Sequence, residues 1–117
     1  MYLRWRANYD SVYEKFISAK PTPTKPAVKI AILDTGIDLG HQAIEARRSN
    51  IREMANWYNQ GVKRVPDRNG HGTFAASLLL DYAPDAELYI AKIADKENTM
   101  SDGSIVAKVS QGKPAGY

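Results

Sequence analysis

Two side chains in this sequence have the type and setting to exchange a proton. Asp34 stands in Ile-Leu-Asp-Thr-Gly (residues 32–36), directly after an apolar run. His71 stands in Asn-Gly-His-Gly-Thr (residues 69–73), directly before another. A carboxylate at the carboxyl end of a buried parallel strand sits where α/β proteins hold ligands and catalytic groups. Gly36 lets the chain turn sharply after it. A histidine flanked by glycines has open space around its ring, and the glycines admit close approach by a substrate or a neighbouring strand. A helix N-terminus disfavours a cation, so an imidazolium there needs a partner carboxylate, and Asp34 is a candidate. Each residue alone also has a plainer reading. Asp34 could cap the following turn, and His71 could simply fill a glycine-rich one.

The elements that must position this pair follow from periodicity. Val28 to Leu33 is a short β-branched apolar run, the pattern of a strand buried on both faces of a parallel sheet. His71 to Tyr82 reads as a helix whose Phe74-Ala-Ala-Ser-Leu-Leu-Leu stretch is apolar nearly all round, so it is expected to be buried. Glu87 to Ala94 reads as a second strand and residues 42–48 as a helix. Residues 49–60 give no clear element, and 61–70 form a polar loop. Before all of these, residues 8–19 read as a helix. Ser11 and Glu14 have capping-box spacing, and Tyr9, Val12, Tyr13, Phe16 and Ile17 form an apolar packing stripe. Pro21, Pro23 and Pro26 then predict an extended linker. A polar loop is expected over 95–103 and a third helix over Ser104 to Ser110, cut short by the Gly- and Pro-containing end. Strand and helix in alternation predict an α/β fold with a mainly parallel sheet.

Composition sets limits. The chain has 117 residues, 44% apolar and 25% charged, as expected of a globular protein and not of a disordered one. Net charge is +3 and the isoelectric point near 9.2. The basic residues are dispersed, with small groups at Arg47, Arg48, Arg52 and at Lys63, Arg64, Arg68, which fits a solvated surface better than a nucleic-acid face. There is no cysteine, which excludes disulfides, thiolate nucleophiles and Cys-ligated zinc. No signal peptide is visible, and no stretch approaches the ~20 apolar residues of a membrane span. These features predict a cytoplasmic protein with no nucleic-acid or membrane partner.

Taken together, the two motifs resemble the subtilase family of serine proteases. Val28-Lys-Ile-Ala-Ile-Leu-Asp-Thr-Gly-Ile-Asp38, followed by His41, looks like the segment around that family's catalytic Asp. Asp67-Arg-Asn-Gly-His-Gly-Thr-Phe-Ala-Ala-Ser77 looks like the segment around its catalytic His. Asp before His is the family's order. Ala83-Pro-Asp-Ala-Glu-Leu-Tyr-Ile-Ala-Lys-Ile93 is similar to its next strand. The resemblance covers roughly residues 27–109. It implies part of a three-layer subtilisin-like fold over 27–117, preceded by a helix and linker over 1–26. It implies that Asp34 orients His71 and stabilises its imidazolium, and that His71 takes a proton from a serine hydroxyl and delivers it to the leaving amine. Gly70, Gly72 and Thr73 would shape the turn presenting the ring. Met100, Ser101, Asp102 and Gly103 would offer their backbone to an extended peptide substrate. No cofactor is required. Structural calcium is compatible with the family, without nameable ligands.

The sequence departs from the family in two respects. No serine lies in a Gly-Thr-Ser-Met-Ala-like turn: Ser77 falls inside a helix, and Ser101, Ser104 and Ser110 fall in segments of other roles. The family's oxyanion Asn is missing too. Without a nucleophile no acyl-enzyme forms. The resemblance therefore implies a truncated piece of an endopeptidase, or an incorrectly delimited gene product, inactive alone. Further domains of a larger protein are possible partners alongside a peptide or protein substrate. Two other readings stay open: a degenerate protease module kept for binding or regulation, and an aspartic protease using Asp34-Thr35-Gly36. The second requires a nearly all-β fold and leaves His71 without a task.

Overall fold

The computed structural model describes residues 2–18, 22 and 25–96. Three parallel strands form its sheet: β1 (Lys29–Asp34), β2 (Ile51–Asn56) and β3 (Glu87–Lys92), in the spatial order β1-β3-β2. The register pairs Asp34 with Lys92 and Asn56 with Lys92, so all three strands end at one level. Helices α2 (Gln42–Glu45) and α3 (His71–Tyr82) connect them. This is the expected α/β fold with a parallel sheet, in partial form. α3 has the bounds expected from the sequence.

β3 is central because its residues are apolar on both sides. With a period of two, Leu88 and Ile90 face one side and Ala91 the other. Leu88 and Ile90 join Ile32, Ile37, Ile44, Val65, Ala76 and Leu80 in the main core, between the sheet and α2 and α3. Ile44, Leu80 and Leu88 are wholly enclosed, each contributing about 1.5–3 kcal/mol. Ala91 and Ile93 form a smaller cluster with Trp57 on the opposite face.

Several expectations need correcting. β1 is buried on one face only: Ile32 is enclosed, whereas Leu33 is 41% exposed. Its second face has no covering layer among the described residues. For the same reason α3 is not buried all round, and Phe74 (65%) and Leu78 (46%) stand open. Residues 51–56, unassigned from sequence, form β2. Its polar Arg52 and Glu53 and a register shift between Ile51 and Glu53 hid it. The helix expected over 42–48 is shorter, ending at Glu45, with a 3-10 turn at Arg48–Asn50. The expected linker contains an antiparallel bridge between Thr22 and Lys25.

The N-terminal helix α1 runs over Tyr2–Val12 and continues as a wider turn over Tyr13–Ile17. It starts six residues earlier than the sequence suggests, and Ser11 lies within it and not at a cap. Tertiary contact decides this. Tyr2, Trp5, Arg6 and Tyr9 all lie against the end of α3. The Trp5 and Tyr9 rings meet Tyr82 edge-on at 5.9 and 5.2 Å. The Tyr13 hydroxyl donates to Asp85 at 2.8 Å. Val12, Phe16 and Ile17 of the expected stripe are exposed.

α1 also completes the C-terminus of α3. A helix leaves its last four carbonyls without intrahelical partners. Here Leu79 O accepts from Ala83 N at 2.7 Å. Leu80 O accepts from the Arg47 guanidinium. Asp81 O accepts from Arg6 at 2.8 Å, and Tyr82 O from the Tyr9 hydroxyl. Arg6 adds an ion pair to the Asp81 carboxylate at 2.6 Å. Cations at this end also suit the helix dipole.

Candidate functional site

The carboxyl ends of the strands and the N-terminus of α3 meet at one place. Asp34 is the last residue of β1 and His71 the first of α3. His71 Nδ1 lies 2.9 Å from both Asp34 carboxylate oxygens. The two residues are 37 apart in sequence. Asp34 is largely enclosed, with 15% of its side chain exposed, against 62% for His71. A carboxylate on Nδ1 selects the tautomer with its proton there and leaves Nε2 as an acceptor. On the open side of such a ring, Nε2 can take a proton from a hydroxyl brought to it.

Asp34 is held from its own strand end. The Thr35 N–H donates to Asp34 Oδ1 at 2.7 Å. The Ile93 N–H donates to the Asp34 carbonyl at 2.9 Å. Gly36 then turns the chain with φ +115°, and a Cβ there would sit 2.4 Å from Val65 O.

α3 fits against that turn because Gly72 has no side chain. A Cβ on Gly72 would lie 2.2 Å from Gly36 O. The close approach expected of these glycines is therefore made by backbone on backbone. All four leading N–H groups of α3 find acceptors. His71 N donates to Asn69 Oδ1 at 3.1 Å and Gly72 N to Thr35 Oγ1 at 3.0 Å. Thr73 N donates to Asp67 Oδ2 at 2.8 Å and Phe74 N to Gly70 O at 3.0 Å.

Two further charged residues support the site. Lys92, at the end of β3, is only 3% exposed. Its ammonium donates to Thr35 O at 2.6 Å, to Pro66 O at 2.9 Å and to Asp95 Oδ1 at 3.0 Å. All three protons are used, so the burial of this charge is compensated. Asp67 accepts from the Thr35 and Thr73 hydroxyls and from the N–H groups of Asn69, Gly70 and Thr73. Asp67 and Lys92 lie within the family-like motifs, but nothing in those motifs marks a role for either. The available signals were a carboxylate four residues before His71 and a lone cation closing an apolar strand.

Burial pushes the Asp67 carboxyl up. Hydrogen bonds from the Thr73 hydroxyl, the Gly70 N–H, the Thr35 hydroxyl and the Thr73 N–H outweigh it and hold the group down at about 2. An unfolded aspartate titrates at about 3.9. The stability this group contributes is thus complete above about pH 5 and is lost as pH falls through about 2. Asp67 is partly exposed, so solvent screening limits the contribution to roughly 1–2 kcal/mol. In Asp67→Asn, the thermal midpoint should fall less steeply between pH 5 and pH 2 than in the parent chain. Equal slopes in a melting series would show that the carboxylate contributes nothing to acid sensitivity.

Met100, Ser101, Asp102 and Gly103, expected to line a peptide, lie outside the described residues, as do Ser104 and Ser110. Ser77 donates to Phe74 O at 2.8 Å, within its own helix. Among the described residues no group of three or more His, Cys, Asp or Glu side chains could hold a metal ion. Among them, too, no helix is long and apolar enough to cross a membrane.

Known proteins are similar to this chain in sequence. A family model described as the subtilase family matches residues 25–116. An intracellular serine protease of Paenibacillus polymyxa is 32% identical over 81 residues, covering 62% of this chain and 25% of the relative. Subtilisin BL of Lederbergia lenta is 34% identical over 114 residues, covering 79% of this chain and 40% of the relative. An alkaline protease of Alkalihalobacillus alcalophilus is 33% identical over 114 residues, with 79% and 28% covered. The chain thus spans two fifths or less of the length of these relatives. α1 lies ahead of the family match, whereas β1, α3 and β3 lie within it. A match over most of the chain, taking in both the Asp34 and the His71 segments, means that this protein belongs to the subtilase family.

Proposed function

We propose that Asp34 and His71 are the orienting carboxylate and the general base, then acid, of a serine endopeptidase triad whose nucleophile comes from a segment outside these 117 residues. The observation that carries this is the double 2.9 Å approach of His71 Nδ1 to the Asp34 carboxylate. In the proposed reaction a serine oxygen attacks the scissile carbonyl of a peptide while its proton passes to His71 Nε2. Asp34 stabilises the imidazolium so formed. His71 then protonates the leaving amine, and water, deprotonated by the same nitrogen, releases the acyl group. The substrate is a peptide or protein chain, as the family and its named protease relatives suggest. Met100 to Gly103 are the proposed backbone rail for that substrate.

A fluorophosphonate probe tests this directly. Intact mass should show no adduct on the 117-residue chain. An adduct should form when the chain is joined to a nucleophile-bearing remainder, and His71→Ala should abolish it. Peptide hydrolysis by the chain alone, lost on Ser104→Ala, would overturn the reading.

A further inference from the structure

The contact between Asp34 and His71 joins two elements far apart in sequence, and a second link ties the same elements together. The link lies behind them. Asp67 Oδ1 accepts from the Thr35 hydroxyl at 2.7 Å, and the same hydroxyl oxygen accepts from Gly72 N at 3.0 Å. Asp67 Oδ2 accepts from the Thr73 hydroxyl at 2.5 Å and from Thr73 N at 2.8 Å. The Thr73 hydroxyl oxygen in turn accepts from Asp38 N at 2.9 Å. One carboxylate thus ties the residue after Asp34 to the first turn of the helix that starts at His71. Both hydroxyls are used as donor and acceptor at once, so neither can rotate without breaking two bonds.

We infer that Asp67 is a positioning residue for the Asp34–His71 pair: it sets the spacing at which His71 keeps its proton on Nδ1. Its hydrogen bonds go to Thr35, Asn69, Gly70 and Thr73 and not to the imidazole. It acts through Thr35, whose N–H orients the Asp34 carboxylate at 2.7 Å, and through Thr73, which fixes the helix start. Lys92 is a second strut between the same segments, through Thr35 O and Pro66 O, but it does not reach α3. With Asp67 gone, the Gly36–Gly72 packing and the Gly72–Thr35 bond remain. The helix start can then shift by a few tenths of an ångström, enough to loosen a hydrogen bond whose geometry is steep.

The inference rests on the proposed role of the pair, so the test must separate the two. The imidazole nitrogens of the 15N-labelled full chain report each tautomer at a pH well above that of imidazole protonation. His41 is an internal control, because its Nδ1 accepts from Ala43 N at 3.1 Å and its proton must sit on Nε2. In the parent chain His71 should be mainly the Nδ1–H form. Asp67→Ala should move it toward the Nε2–H form that free imidazole favours, with His41 unchanged. Thr35→Val removes the relaying hydroxyl at nearly constant volume and should do the same, whereas Thr35→Ser should restore the parent pattern. This pair of variants decides the matter if Asp67→Ala does not fold. Parent-like His71 tautomers in folded Asp67→Ala, or in Thr35→Val, would overturn the inference and leave the pair's proposed role standing. A parent His71 without the Nδ1–H preference would overturn both.

Discussion

Asp34→Asn should lower kcat by about 10⁴-fold in an active subtilase carrying this segment, with KM changed only a few-fold. The reason is tautomeric and not steric. Asn fills the same space, but its NH2 can donate to Nδ1, which then becomes an acceptor. The proton moves to Nε2, where the base must be free to take one from serine. The enclosed position of Asp34, at 15% exposure, denies it easy replacement by water. His71→Ala should cost a similar factor or more, and the double variant should be little worse than the poorer single one, because groups that act as a unit are not additive. Steady-state kinetics on the three variants checks this. A loss of less than about tenfold in Asp34→Asn would mean that the carboxylate is a spectator.

Gly72→Ala should destabilise the fold by on the order of 2–4 kcal/mol. Two effects compete. Alanine favours a helix over glycine by about 1 kcal/mol, and Gly72 is the second residue of α3. Against that, the new Cβ would lie 2.2 Å from Gly36 O, 3.0 Å from Gly36 N and 3.1 Å from Thr35 Oγ1. The nearest obstacles are backbone, in a turn itself pressed against Val65 and Pro66, so they cannot swing aside. α3 must lift, and Gly72 N then loses Thr35 Oγ1. The clash dominates, and set against a typical total of about 5–15 kcal/mol it is severe. At roughly 4–8 °C per kcal/mol for a chain of about this size, the midpoint should drop by about 8–32 °C in a thermal melt. A midpoint within about 3 °C of the parent would show that the turn yields.

The elements nearest the site were the easiest to read. β1 and β3 announce themselves by unbroken apolar runs, and α3 by its glycines at one end and Ala83-Pro84 at the other. β2 was illegible because a flanking strand tolerates Arg52 and Glu53, so neither alternation nor an apolar run marks it. The start of α1 is hidden from sequence because its first turns owe their order to Tyr82 and Asp81, more than seventy residues away. The same limit explains the misread burial. Apolar character along β1 and α3 shows what those surfaces require, whereas Leu33, Phe74 and Leu78 stand open because no described element covers them.

By itself the sequence singled out Asp34 and His71 as the candidate pair and the family that this chain resembles. Local chemistry carries that much: a carboxylate ending an apolar run, an imidazole between glycines, and their order along the chain. Only the tertiary structure decided that Asp34 and His71 touch, and that Thr35, Asp67, Thr73 and Lys92 hold them there. Those contacts span one to 57 residues of sequence, and most join atoms on different elements. No spacing rule encodes such distances. They follow from how closely α3 can approach the turn at Gly36, a matter of packing that exists only once the sheet has formed.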